Sequence, residues 1–364
     1  DGERLPPQPK SQGPLRLSSH HLPSQPRILL VKLSSFGDVL HALPTLEALR
    51  QAYPNGHLTW LVEAAYAPLL SAHPALDEVW IAPRLRPGEL LSGSNPARLC
   101  HLVRQLRARP FDLVVDVQGL LKSAVWVALA KSPRKVGYDQ TRELSYLALT
   151  ERVKPFDPEA HAVRRYLNLA HYLGAPPALP RFRLGLDATS DLAALMPAEA
   201  DRPLAVLHPG ARWATKLWPP ASWARLGEWF QAQGFHLALT GSRADQELAA
   251  AITAQCRAPL INLTGRTSLA QLAAIIRRAR LAVTTDTGAM HLAAALGTPV
   301  TALFGPTAPW RTGPFGDGHQ VVRLGLACSP CFTRRCPEPR CLTGLTPEMV
   351  AAACEKILSN AGIT

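Results

Sequence analysis

From residue 27 onward, short apolar runs alternate with stretches of helical periodicity, and the alternation restarts once after a proline-rich break. Arg27–Val31 reads as a buried parallel strand, and so do 58–62, 79–81 and 113–117. Val136-Gly137 opens a further short element, and 159–173 reads as a helix. The segment 174–180, Gly-Ala-Pro-Pro-Ala-Leu-Pro, is a breaker and a domain linker. Beyond it, strands at 204–207, 235–240, 260–263, 281–284 and 300–304 alternate with helices at 223–233, 245–256, 268–279 and 289–296. Such alternation specifies parallel sheets, because each parallel neighbour needs a crossover, and the crossovers cover both faces. The expected fold is α/β: two Rossmann-like, doubly wound parallel-sheet domains facing a central cleft. At 364 residues each domain is large enough for its own core. The boundaries read 1–26 for a disordered lead rich in Pro, Ser and Gln without an apolar signal core, 27–175 for the first domain and 176–364 for the second. The last helix, 347–359, is expected to pack back on the first domain.

The turn after the first strand carries chemistry. Lys32-Leu-Ser-Ser35-Phe-Gly37-Asp38-Val-Leu-His41 places small residues, one flexible glycine and one carboxylate at the carboxyl edge of a sheet, where open α/β sheets bind ligands. One glycine is not a dinucleotide fingerprint, and Asp38 would repel a pyrophosphate, so this site is read as serving something other than a nucleotide. The segment that follows, 42–50, reads as an amphipathic helix.

The second half holds the complementary signal. A strand runs through Thr284-Thr285 into Asp286-Thr287-Gly288-Ala289-Met290-His291 and then an Ala-rich helix. Free N–H groups at such a helix start suit a diphosphate, with Gly288 allowing close approach and His291 one turn in. Each residue alone reads equally well as part of a capped helix with a core histidine. The loop after 204–207 adds Arg212 and Lys216, cations suited to a departing phosphate or to a solvated surface. The next strand ends in Gly241-Ser242-Arg243-Ala244-Asp245-Gln246-Glu247, whose carboxylates suit ribose hydroxyls or a helix N-terminus.

A net charge of +12 points to an anionic partner, and small arginine clusters recur at Arg84/Arg86 and Arg104/Arg107/Arg109. No basic strand pair interleaved with aromatics appears, so nucleic acid is not the expected partner. No uninterrupted run of 18 apolar residues predicts a transmembrane helix. Cys328, Cys331, Cys336 and Cys341 have spacings compatible with a structural four-thiolate zinc or iron–sulfur site, and also with reduced cysteines in a Pro-rich surface loop, the reading that spacing alone favours.

The first-strand loop, His208-Pro-Gly-Ala with a downstream Lys216-Leu-Trp-Pro, Gly241-Ser-x-x-Asp245 and Asp286-Thr-Gly-x-x-His291-Leu-Ala-Ala-Ala fall in the order seen in one family. Together they resemble the ADP-heptose:lipopolysaccharide heptosyltransferases of glycosyltransferase family 9, a GT-B family, from about Arg27 to Leu358. Within it, the first-strand loop and Gln118-Gly-Leu-Leu-Lys122-Ser are most similar to the first heptosyltransferases. The resemblance implies Asp38 as general base, with Ser35, Gly37, Lys122 and Arg142 toward the acceptor. It implies donor contacts from Arg212, Lys216, Asp245 or Glu247, Asp286, Thr287, Gly288, Ala289 and His291. The implied partners are ADP-heptose, a lipid A–Kdo acceptor and the anionic inner face of the cytoplasmic membrane, with no cofactor required. A GT-B transferase for another nucleotide-sugar, or a non-catalytic nucleotide-sugar or glycan binding module, shares many of these residues. No Gly-x-Gly-x-x-Gly follows any expected strand, which disfavours a nicotinamide enzyme.

Overall fold

The computed structural model describes residues 22–84, 95–186, 192–196 and 202–360. Residues 1–21 of the expected lead lie outside this set, as does Arg86. The first half runs β1 (Arg27–Val31), α1 (Phe36–Ala52), β2 (His57–Glu63), β3 (Glu78–Ala82), α2 (Asn95–Ala108), β4 (Leu113–Asp116), α3 (Leu121–Leu129), β5 (Lys135–Tyr138), β6 (Glu151–Val153) and α4 (Ala162–Tyr172). The second runs β7 (Leu204–His208), α5 (Pro220–Ala232), β8 (His236–Leu239), α6 (Gln246–Gln255), β9 (Ile261–Asn262), α7 (Leu269–Arg278), β10 (Leu281–Thr285) and α8 (Gly288–Ala295). It closes with β11 (Val300–Leu303), α9 (Pro309–Thr312), β12 (Gln320–Val322), α10 (Arg340–Thr343) and α11 (Pro347–Asn360).

Each half is one parallel sheet of six strands, in the orders β3-β2-β1-β4-β5-β6 and β12-β11-β10-β7-β8-β9. Counted from one within each half, both orders read 3-2-1-4-5-6, the doubly wound arrangement whose direction reverses between strands one and four. The reversal falls between β1 and β4, where Val31 pairs with Asp116, and between β7 and β10, where His208 pairs with Thr284. The loops after β1, β4, β7 and β10 leave the sheets at these two points, and the 241–247 loop leaves β8 beside the second of them. The edge strands β6 and β12 are three residues each, too short to show a pattern in the sequence.

Three departures from the sequence reading have physical causes. First, α1 is not amphipathic: every residue from Val39 to Leu49 is buried, because it is packed against α4 and α8 as well as its own sheet. The charge this traps, Glu47, accepts from Arg183 Nε and Nη2 and lies 3.5 Å from His73. Arg183 follows the proline-rich break, and there Gly185 bonds Leu69 and Ala72 of the first half. A Cβ on Gly185 would lie 2.6 Å from the backbone at Leu70 and His73, so only glycine fits.

Second, the halves do not have wholly separate cores. One apolar cluster joins Leu40, Leu43 and Leu46 of α1 to Leu167 of α4, Ile275 of α7 and Leu292 of α8. The outer faces keep their own clusters, under α2 and α3 in the first half and under α5 and α11 in the second. Third, α11 does not return to the first domain. Val350, Ala353, Cys354 and Ile357 are buried with Trp218 and Trp223 in the second half, where α11 packs on α5, β11 and β12. Its apolar stripe finds the nearer sheet face uncovered.

A core that runs through the seam makes the halves one cooperative unit. Calorimetry is expected to show a single unfolding transition, and Leu292→Ala to lower it by about 2–5 kcal/mol as a whole. Two resolved transitions, with only one moved by the substitution, would contradict this.

Candidate active site

Asp38 stands in the first turn of α1, at the β1–β4 reversal. The Ser35 N–H (3.2 Å) and hydroxyl (2.8 Å) donate to its Oδ2, and the Tyr166 hydroxyl donates to Oδ1 at 3.1 Å. Tyr166, on α4, in turn accepts from Lys32 Nζ at 2.9 Å. Lys32 is 1% exposed, between Asp38 and a second buried carboxylate, Asp116, whose field it shares. Burial pushes the Asp38 carboxyl up, but the Lys32 ammonium and the Ser35 and Tyr166 hydrogen bonds outweigh it, and the net shift is down. Burial and the Asp38 charge raise the Tyr166 phenol well above its ordinary value, so it stays a donor. The result is an ionised carboxylate at the cleft, oriented by three groups. Neither Lys32 nor Tyr166 was picked out from the sequence. A lysine ending an otherwise apolar strand was the available signal for Lys32, and nothing local marks Tyr166.

The β4–α3 loop braces this turn. Gln118 Oε1 accepts the Leu33 and Ser34 N–H groups, both at 3.1 Å. Lys122 bonds the Ser34 hydroxyl and pairs with Glu63 at 3.0 Å, while Arg84 takes the other Glu63 oxygen at 3.2 Å. Lys122 therefore reaches the cleft with its charge balanced by Glu63. Arg142 is exposed at the head of a 3-10 turn, 142–148, next to Glu143, which accepts the Leu121 N–H.

At the second reversal, Lys216 and Asp286 form an ion pair at 2.6 Å, both largely buried. The Thr307 hydroxyl also donates to Asp286 Oδ2 at 2.6 Å. Asp286 thus aims Lys216 beneath the start of α8. Thr287, the residue before α8, makes no side-chain cap bond, which leaves the first N–H groups of that helix to a ligand. Arg212 is exposed, and its charge bears on Tyr66 across the cleft, opposing the upward push that burial gives that phenol. Asp245 accepts from the Ser242 N–H (2.7 Å) and hydroxyl (2.6 Å) and lies directly over Gly210, where a Cβ would come within 2.6 Å of the carboxylate. Of the two carboxylates in that loop the structure brings Asp245 to the sheet edge, and Glu247 sits exposed in the first turn of α6. Ala289 is buried behind the turn.

The two helix starts meet through reciprocal glycines. A Cβ on Gly37 would lie 2.3 Å from the His291 ring, and one on Gly288 would lie 2.4 Å from the Phe36 ring. Gly37 therefore lies directly against His291 of the second half. His291 Nδ1 lies 3.0 Å from His41 Nε2, and Asp38 is near enough for its charge to act on His291.

The cysteine segment does not form the metal site its spacing allowed. Among the described residues no three His, Cys, Asp or Glu side chains come together as metal ligands would. Cys328, Cys331 and Cys336 are exposed, whereas Cys341 is buried against Gly305. The loop folds back on Pro306, and its Thr333 carbonyl accepts the Thr215 hydroxyl at 2.9 Å, buttressing the Lys216 loop.

Burial holds two histidines at these loops, His161 and His208, down to about 4 from an ordinary value of 6.5. The unfolded chain binds their protons first, so their contribution to stability is complete above pH 6.5 and is lost as pH falls toward 4. Each is expected to remove about 1.4 kcal/mol of stability per pH unit across that window. Denaturant unfolding at pH 7 and pH 5 measures the slope, and His208→Asn should make it shallower. An unchanged slope in the variant would contradict the assignment.

Sequence and structure comparisons agree with this geometry. The profile of glycosyltransferase family 9 (heptosyltransferase) matches residues 99–342. The chain is 34% identical over 354 residues to lipopolysaccharide heptosyltransferase 1 of Pseudomonas aeruginosa, covering 91% of this chain and 98% of that one. Among solved structures, E. coli heptosyltransferase WaaC with ADP superimposes with a TM-score of 0.74 at 30% identity, covering 91% of this chain and 99% of that one. E. coli ADP-heptose lps heptosyltransferase II gives 0.72 at 27% identity, covering 92% and 99%. With two reversal-point sites facing each other across one seam, and these similarities along nearly its whole length, the chain belongs to glycosyltransferase family 9, the heptosyltransferases.

Proposed function

We propose that this glycosyltransferase moves a heptose from ADP-heptose to the Kdo region of the lipopolysaccharide inner core, in one inverting displacement. The observation that carries the reading is Asp38, an ionised carboxylate at one reversal point facing the open helix start at the other. The acceptor oxygen bonds to the anomeric carbon as its proton passes to Asp38 Oδ. The bond from that carbon to the diphosphate breaks on the opposite face, and its electron pair leaves on the phosphate oxygen. The N–H groups of α8, with Lys216, Arg212 and His291, receive this charge. Asp245, Asp286, Thr287, Gly288 and Ala289 complete the donor side, Asp245 for the ribose hydroxyls. Ser35, Lys122 and Arg142 complete the acceptor side.

The first heptose is the better reading. Identities of 34% to heptosyltransferase 1 of Pseudomonas aeruginosa and of 32% and 30% to heptosyltransferases 1 and 2 of E. coli favour it by a small margin. Transfer from ADP-heptose to Kdo-lipid A lacking heptose, and little to the same acceptor already carrying one, is the expected result. Asp38→Asn should keep ADP-heptose binding and lower kcat by about 10²–10⁴-fold, the worth of a general base. Wild-type turnover in the variant, or transfer only from UDP- or GDP-sugars, would overturn the reading.

Among the described residues no helix is long and apolar enough to cross a membrane. We assign this enzyme a peripheral place on the anionic inner face of the cytoplasmic membrane, where such an acceptor lies. Arg104 and Arg107 are exposed on α2, but Arg84 is engaged by Glu63. The better docking face is the lip of the acceptor side, where Leu121, Leu144 and Leu147 are 57–64% exposed beside Arg142. Apolar side chains beside a cation suit an anionic bilayer, which attracts basic residues by about 1 kcal/mol each. Sedimentation with phosphatidylglycerol vesicles should show binding that weakens with salt and in the pair Leu144→Asp, Leu147→Asp. Unchanged binding by the pair would exclude this face, and self-association lost in the pair would assign it to a second copy.

A further inference from the structure

The seam holds two histidines that the reaction above leaves without a role, His41 on α1 and His161 before α4. His161 declares its own tautomer. Its Nδ1 accepts the Val163 N–H at 3.2 Å, so its proton sits on Nε2, which donates to the Gly313 carbonyl at 3.1 Å. This bond ties the first half to the second, and the His161 ring packs against Phe315 at 5.0 Å between centroids.

His41 stands edge-on to that ring at 5.3 Å and is 3% exposed. Its Nε2 lies 3.0 Å from His291 Nδ1, and its Nδ1 is buried with no hydrogen-bond partner. Two neutral imidazoles at that distance need one donor between them. A proton on His41 Nδ1 would be a buried donor with nothing to bond, which is the costlier fault. A proton on His41 Nε2 makes the bond instead. We infer that His41 is a positioning residue: it donates from Nε2 to His291 Nδ1 and so places the His291 proton on Nε2. That nitrogen is the one turned toward Gly37, with 2.9 Å to a Cβ built there.

The consequence is chemical. His291 then offers the cleft a neutral N–H donor, fixed in direction by a residue of the other half, suited to a phosphoryl oxygen gaining charge. The opposite tautomer would present a lone pair to that oxygen. Burial lowers the His41, His161 and His291 values, so the rings meet unprotonated at neutral pH. Because the donor and acceptor of this bond lie on different halves, the tautomer also depends on the seam being closed.

The catalytic consequence rests on His291 contacting the diphosphate, but the tautomer can be read without substrate. Long-range ¹H–¹⁵N spectra of the full chain labelled at histidine should show His41 and His291 both protonated on Nε2. His41→Phe removes the donor, and is expected to mix the His291 tautomers and lower kcat by about 10–100-fold, a fraction of a lost oxyanion donor. The KM for ADP-heptose should change much less. His41→Gln keeps an N–H near the Nε2 position and should restore both the His291 signature and turnover. His291 protonated on Nδ1 in the wild type would overturn the inference whether or not the variants fold. Wild-type kcat in a folded His41→Phe would overturn its catalytic part, and absence of any heptose transfer with the expected spectra would fault only the proposed reaction.

Discussion

The close approach of two helix starts is the constraint on which the rest of this structure depends. Phe36 lies on Gly288 and His291 lies on Gly37, so each helix contributes one ring and one glycine to the contact. Neither glycine is there for an unusual backbone angle. Each is there because a single Cβ would occupy space that a ring from the other half already fills. The approach sets the Asp38 carboxylate in the first turn of α1 against the open N–H groups at the start of α8. It also explains the shared core, since α1 and α8 must be apolar on the flanks that meet below the contact.

Charge at this seam is arranged in opposed pairs. Asp38 has Lys32 behind it, relayed through Tyr166, and Asp286 has Lys216 beside it. Taking single carboxylates out of water would raise their proton affinity and spoil both roles. With a buried lysine behind each, Asp38 stays ionised and Lys216 stays aimed. The cost of removing one partner from such a pair is greater than the worth of the pair, because the other is left charged and dry. Substitutions at Lys32 or Asp286 therefore act on the site through their partners.

The glycine-and-carboxylate turn, the Asp-Thr-Gly helix start and the alternation of strands were legible in the sequence because they are local. Period, turn chemistry and end signals all lie within a dozen residues. What was misread was long-range. The α1 segment carries Thr45 and Glu47 and looks two-faced, yet both are buried because α4 and α8 close the second face and Arg183 satisfies the charge. The cysteine spacings admit a metal site, but the backbone turns on Pro306 and, among the described residues, no three such side chains come together as ligands. The last helix has a stripe that either half could have covered.

The sequence alone determined that this chain makes two doubly wound parallel sheets and which loops lie at their active edges. Both follow from hydrophobic period and turn residues, which act between neighbours along the chain. Only the tertiary structure decided that Asp245 and not Glu247 turns inward, that Lys32 and Tyr166 stand behind Asp38, and that His41 meets His291. The contacts of Tyr166 and of His41 join residues 128 to 250 positions apart, and at that range position is set by packing of whole helices against sheets rather than by any preference of the residues themselves.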